Sequence, residues 1–408
     1  MSWEQDVRLT NNPAASQTTS ITVSGSNVHV LFVDNRTGTY QLYYKRSTNE
    51  GISWEADIQL SSSSGGGVSG PSLKVSGSFV HVFWHDFRDG SYPEIYYKRS
   101  TDGGLTWGAD IRLTNAPASS ISPSCGVSGS VVHVVWGDNR DGTYQVYYKY
   151  SADAGVNWDV DTKLSNSIMT TSLIASLTVL GSNVHVVWHD NRDGNNEIYY
   201  KRSTNGGISW GTDTRLTYDP ANSLSPCVEV SGSNVHIVWY DNRDGNNEIY
   251  YKLSTDKGLN WGTDTRLTND TSLSRKPFIS ISNSILNVVW DDNRDGNMEI
   301  YYKRNPTGNP IGIVPINSEI PKEYKLMQNY PNPFNPVTKI NFDIAKTGFV
   351  SIIIYDALGR EVETLVNEVQ SVGSYNVAFN GANLSGGVYF CRMQSDGFSD
   401  VKKLVLLK

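Results

Sequence analysis

Short runs of alternating apolar and polar residues, broken by turn-forming residues, fill most of the chain. In Phe79–Asp86, Val80, Val82 and Trp84 fall on one face and Phe83 on the other, so both faces carry apolar side chains. A strand apolar on both faces is expected between two covering layers. The pattern recurs. The histidine of "VHV" or a close variant stands at His29, His81, His133, His185 and His236, with Asn287 in the sixth place, at spacings of 51 or 52. Each copy predicts four strands, A to D. In the second copy these lie near Ser72–Val75, Phe79–Asp86, Glu94–Arg99 and Trp107–Leu113, separated by "SGS", "RDG" and "TDGG" turns.

The repeat count fixes an architecture. A tryptophan follows a Gly-containing turn at Trp54, Trp107, Trp158, Trp210 and Trp261, and Trp3 lies 51 residues before Trp54. "SWEQDVRLT" at the N-terminus matches "SWGTDTRLT" of Ser209–Thr217, while the sixth copy stops at Asn305 without its fourth strand. The N-terminal segment is therefore expected to complete the sixth sheet, leaving no orphan edge at the seam. The expected fold is all-β, a six-bladed β-propeller over residues 1–304.

The turn before each tryptophan carries its own signature. "STDGGLTW", "SADAGVNW" and "STDKGLNW" place Asp102, Asp153 and Asp256 in the pattern S-x-D-x-G-x-x-W, and Asn49 and Asn205 stand for the aspartate in two further copies. This Asp-box resembles that of the BNR/Asp-box repeat proteins, the sialidase-like superfamily. The resemblance implies that the Asp-box is structural and lies opposite the active face. It also implies an active site of three arginines, a Tyr–Glu pair and an aspartate, with the first arginine in "R-I-P". No "R-I-P" occurs here, so the expectation leans away from catalysis.

Residues 305–320, proline-rich and poor in charge, read as a linker. From residue 321 to 408 the alternation returns in "KINFDI", "VSIIIYD" and "GVYFCRM", predicting a small Ig-like β-sandwich. "NYPNPFNP", "IYDALGREV" and "NLSGGVYFCRM" in this order resemble the type IX secretion system C-terminal sorting domain. The resemblance implies handling by that secretion machinery and a product released or held at the outer-membrane surface.

Composition narrows the partners. The net charge is -7, and residues 1–318 hold 25 basic against 32 acidic side chains, which disfavours nucleic acid. No apolar run approaches the roughly 18 residues of a membrane span. Cys125, Cys227 and Cys391 are too few and too scattered for a disulfide framework, and are expected free and buried. No signal peptide opens this sequence.

The segment "DNRDG", or a variant, sits between strands B and C of every copy. It carries Arg36, Arg88, Arg140, Arg192, Arg243 and Arg294. A catalytic centre needs unlike groups in unlike environments. Six equal arginines fit a task common to all sheets, such as pinning the turn, or a ring of shallow sites for a repetitive ligand. The Asp–Asn–Glu content of Asp190–Glu197 also resembles parts of calcium loops, but its spacing fits none, and no metal or cofactor is expected. The recurring histidines are expected to be buried.

Specific function is expected where copies differ. On strand A the varying residues are Thr22, Lys74, Gly126, Thr178, Glu229 and Ser280. Ahead of the turn aspartate they are Val33, His85, Gly137, His189, Tyr240 and Asp291. Lys74, Glu229, His85, His189, Tyr240 and Asp291 are the candidate ligand contacts. Every D–A connection is short, so no long loop walls off water. A glycan or surface polysaccharide is the expected partner. The alternatives are a divergent sialidase-like glycoside hydrolase and a protein-interaction or surface scaffold.

Overall fold

The computed structural model describes residues 7–166, 174–282, 285–305, 314–315, 321, 323–346, 348–370, 373–382 and 384–407. It is all-β and separates into two compact units, the first centred on residues 1–303 and the second on 304–408.

The first unit holds five four-stranded antiparallel sheets and a sixth of three strands, each in simple sequence order. The fourth sheet is representative: strand A is Ala175–Leu180, B is Asn183–Asp190, C is Glu197–Ser203 and D is Thr214–Arg215. Strand D is only two residues long in each of the first five sheets, shorter than the alternation predicts. The tryptophan lies ahead of it, outside the ladder. Trp107, Trp158, Trp210 and Trp261 instead stand edge-on to Tyr44, Tyr97, Tyr148 and Tyr200 of the preceding sheet, with ring centroids 4.8–5.0 Å apart.

Packing between consecutive sheets forms the core. Val80, Val82 and Trp84 of the second sheet lie against Leu31, Leu42 and Tyr44 of the first, and this interface recurs between sheets three and four and sheets four and five. The strand-B histidines are buried at the interfaces. His29, His81, His133, His185 and His236 each share a hydrogen bond of 2.6–2.8 Å with a strand-C tyrosine. In the sixth sheet, Tyr302 donates to Asn287 Oδ1 at 2.7 Å. Burial lowers all five histidines to about 4. The Asp-box turn is fixed by its own side chains: Gly104 N donates to Ser100 Oγ at 2.8 Å and Thr106 N to Asp102 Oδ1 at 2.9 Å. Asn49 and Asn205 accept the equivalent amides of Ser53 and Ser209. Only glycine fits at position 207, where φ is +87° and a Cβ would stand 1.7 Å from Tyr148 Oη.

The end sheets differ from the interior ones. Ile300 is 71% exposed, whereas Ile95, Ile198 and Ile249 are fully buried in the corresponding place. On strand A of the first sheet Ile21 is 64% exposed, against 2% for Leu73. Leu9 packs on Val30, Phe32 and Tyr43, as Leu60 packs on the second sheet. The expected closure through Trp3 lies outside the described residues.

The second unit pairs two four-stranded sheets around one core that includes Phe334, Phe342, Ile352, Ile354, Cys391 and Leu404. One sheet contains Val337–Ile344 beside Gly373–Asn380. The other contains Gly348–Asp356 between Glu361–Gln370 and Gly387–Ser395. All three cysteines are free and buried.

Candidate functional sites

Each B–C turn builds the same charged corner. In the fourth sheet Asp190 closes strand B with its carboxylate buried. It accepts from Trp188 Nε1, from the Arg192 backbone amide at 3.0 Å and from the Arg192 guanidinium. Arg192 Nη1 reaches Asp213 at 2.7 Å, and Lys201 pairs with the other oxygen of Asp213. The guanidinium lies over the Tyr199 ring, 4.2 Å from its centroid. Arg36, Arg88, Arg140 and Arg243 repeat this arrangement with Asp57, Asp110, Asp161 and Asp264. In the sixth sheet Arg294 pairs with Asp292 alone among the described residues, and Lys303 has no carboxylate partner there. All six guanidiniums are held charged by carboxylates of their own corner. These bonds also occupy the carboxylates of the calcium-like segment, and no cluster of three or more metal-ligating side chains occurs among the described residues.

Strands A of consecutive sheets pack side by side in the first unit. Glu229 is partly exposed there, and crowding by protein raises its carboxyl against the opposing charge of Lys74. The same Lys74 charge acts on Cys125 and Cys227, so these residues of the second, third and fifth sheets share one region. Burial dominates at both thiols and pushes Cys125 up to about 11. Strand A also carries a recurrent irregularity. Thr18, Gly70, Ser122, Ser225 and Lys276 adopt φ values of +43° to +62° at equivalent positions, and the ladder slips at this point in the first, second, third and fifth sheets. Such bulges re-aim neighbouring side chains, and nothing in the alternation announces them.

The second variable set lies just beyond. His85 Nδ1 accepts the Ser122 amide of the next sheet at 3.3 Å. His189 is 6% exposed, and its Nδ1 has no hydrogen-bond partner among the described residues. Burial lowers both to about 4, so they stay neutral near pH 7. The sequence suggested surface contacts for this pair; His189 is instead buried inside the unit. Tyr240 is partly exposed, and Asp291 stands 3.8 Å from Lys276.

Beside the second B–C turn lies a cavity of about 270 Å³, lined by Asp89, Ser91, Tyr92, Glu94, Arg112 and Asn115 among others. Tyr92 is 52% exposed. Its sequence signal was an extra residue: "RDGSYPE" replaces the "RDGNNE" of the fourth and fifth copies. A second cleft, of about 320 Å³, lies in the C-terminal unit beside Tyr355, Phe390 and Arg392.

The family model described as secretion system C-terminal sorting domain matches residues 328–407. The protein is secreted or displayed at the cell surface. No helix among its described residues is long and apolar enough to cross a membrane. No protein of curated function matches the sequence. Among solved structures, a protein of unknown function from Dyadobacter fermentans superposes with a TM-score of 0.54 at 14% identity, covering 72% of this chain and 95% of that one. Polysaccharide lyase Uly1 gives 0.51 at 11% identity, covering 72% and 78%. A Trypanosoma rangeli sialidase mutant displaying trans-sialidase activity gives 0.49 at 10% identity, covering 97% and 85%. At these identities the first two likenesses speak for the fold alone, which is propeller-like.

Proposed function

We propose that residues 1–304 form a closed six-bladed Asp-box propeller that binds glycans outside the cell, and that residues 321–408 direct its export through the type IX system. The observation that carries the binding reading is a difference in commitment. The repeated arginines and aspartates are spent on one another within each corner, whereas exposed aromatic faces stand beside polar groups where copies differ. Tyr92 is one. Tyr218 is another, 71% exposed with Arg215 4.8 Å from its ring centroid. An aromatic face rimmed by hydrogen-bonding groups suits a sugar ring. A panel of immobilised oligosaccharides tests this: selective binding is expected, and no binding to any sugar overturns it. In parallel, fluorogenic glycosides should show no turnover. Robust turnover, abolished in Glu229→Gln, favours the divergent hydrolase instead.

Closure of the ring is supported by Arg294 and Lys303 of the sixth sheet, whose outer carboxylate partner is lacking among the described residues. Asp6 occupies the register place of Asp57, Asp110, Asp161, Asp213 and Asp264, and Arg294 and Lys303 await that carboxylate. Arg8 Nε already donates to Thr10 O at 2.7 Å, as Arg215 donates to Thr217 O. Asp6→Ala and Arg294→Ala should each destabilise the protein and couple by about 1 kcal/mol or more in a double-mutant cycle. Additive effects would argue against closure by this segment.

A further inference from the structure

The B–C corners are not equal at one atom. In the fourth sheet Asn195 Nδ2 donates to three acceptors: Glu197 Oε1 at 3.0 Å, Asp219 O at 2.9 Å and Ala221 O at 2.5 Å. In the fifth, Asn246 Nδ2 does the same to Glu248 Oε1, Asp270 O and Ser272 O, at 3.1, 2.8 and 2.6 Å. Gln41 supplies the amide of the first corner, donating to Ser63 O at 2.8 Å, and Asn297 supplies that of the sixth, donating to Glu299. In the third corner Gln145 Nε2 donates to Thr143 Oγ1 at 3.0 Å. A side-chain carboxamide thus fills each of these five corners.

The second corner keeps the glutamate, arginine and threonine of the fourth but has no amide at the Asn195 place, although the Asn115 side chain lines the same cavity. Glu94 accepts Arg112 Nη2 at 2.6 Å and Thr114 Oγ1 at 2.5 Å, and Arg112 also pairs with Asp89 at 3.3 Å. These bonds match those of Glu197 with Arg215 and Thr217. Ser91 stands where Asn195 stands, and Tyr92 is the inserted residue. Ala116 and Ala118 take the places of Asp219 and Ala221, and among the described residues nothing donates to either carbonyl. The 270 Å³ cavity opens at this corner. Its size is near that of the smallest ligand pockets.

We infer that the second corner is a saccharide subsite, in which a ligand hydroxyl or amide N–H replaces the missing carboxamide and the sugar ring lies against Tyr92. The inference rests on the glycan-binding reading above and adds a location and a ligand class. Of the cavity's lining groups, the Ala116 carbonyl and Glu94 are acceptors that a ligand donor can meet. Two carboxylates face one guanidinium, so the site keeps an excess of negative charge and disfavours acidic sugars. An uncharged hexose or N-acetylhexosamine fits; a sialic or uronic acid does not.

The test is titration of the full chain with chitobiose, cellobiose and 3′-sialyllactose, repeated with two variants. In the first, Ser91→Asn and Pro93→Asn are combined with deletion of Tyr92, rebuilding the fourth-sheet turn. In the second, Tyr92 is replaced, Tyr92→Ala, with Tyr92→Phe as its rescue. The wild type should bind a neutral disaccharide and not sialyllactose. The rebuilt turn should lose about tenfold or more in affinity with a melting temperature equal to or above that of the wild type, Tyr92→Ala should also weaken binding, and Tyr92→Phe should restore it. Equal affinity in the rebuilt and wild-type proteins would overturn the subsite while leaving glycan binding in place. A preference for sialyllactose would overturn the ligand class. Binding of no sugar by the wild type would overturn the glycan reading itself.

Discussion

The second and fourth corners share a buried glutamate, its arginine and its threonine, and they part at one side chain. In the fourth, Asn195 seals the corner; in the second, Ser91 and the inserted Tyr92 leave a cavity. The shared residues hold the sheet together, and the residue that differs decides whether the corner is closed or open. The chemistry these two corners share is committed to their own packing, however much it looks like an active site.

The largest effect should come from the shared part. Glu94→Ala and Glu197→Ala each leave a buried threonine hydroxyl without its acceptor, while Arg112 and Arg215 keep Asp89 and Asp193, and each should cost about 1–3 kcal/mol in denaturant unfolding. Near-equal losses sustain the comparison; a second-corner loss far below the fourth would break it. A pH series probes the common layer beneath both corners. His81 and His185 are lowered from 6.5 to about 4 in the folded protein. The unfolded chain therefore takes up their protons first. Stability is complete above about pH 6.5 and falls as pH drops toward 4, by about 1.4 kcal/mol per pH unit for each histidine within that window. His185→Asn, which copies Asn287 of the sixth sheet, should flatten the slope of urea midpoints between pH 6 and pH 5. An unchanged slope would show that this histidine is not held neutral.

Smaller effects sharpen the difference itself. Asn195→Ser removes the donor from two carbonyls and should cost about 1–2 kcal/mol. Ser91→Ala should stay within about 0.5 kcal/mol, since the exposed Ser91 makes no side-chain hydrogen bond among the described residues. If Ser91→Ala proved as costly as Asn195→Ser, the second corner would be sealed in solution.

The sheet order, the strands other than D and the buried histidines were legible because each depends on a pattern repeated at 51 or 52 residues. What stayed hidden depends on contacts between copies. The two-residue length of strand D reflects tryptophans packing on the tyrosine of the preceding sheet, which alternation within one copy does not encode. The left-handed residues of strand A include Thr18, Ser122, Ser225 and Lys276, types with no shared turn preference, so only the backbone reveals the bulge. His189 looked like a surface residue because it varies, yet it is buried. The cavity beside Tyr92 was written as a one-residue insertion, and aligning copies on their histidines absorbed it as a change in spacing.

The central claim is that function resides where the copies disagree rather than in the repeated arginines. A crystal structure of the full chain with a bound neutral oligosaccharide tests it most directly. The account predicts sugar density against Tyr92 with a donor on Glu94 and the carbonyl of Ala116. Density bonded instead to the repeated arginines, with their aspartate pairs opened, would contradict it.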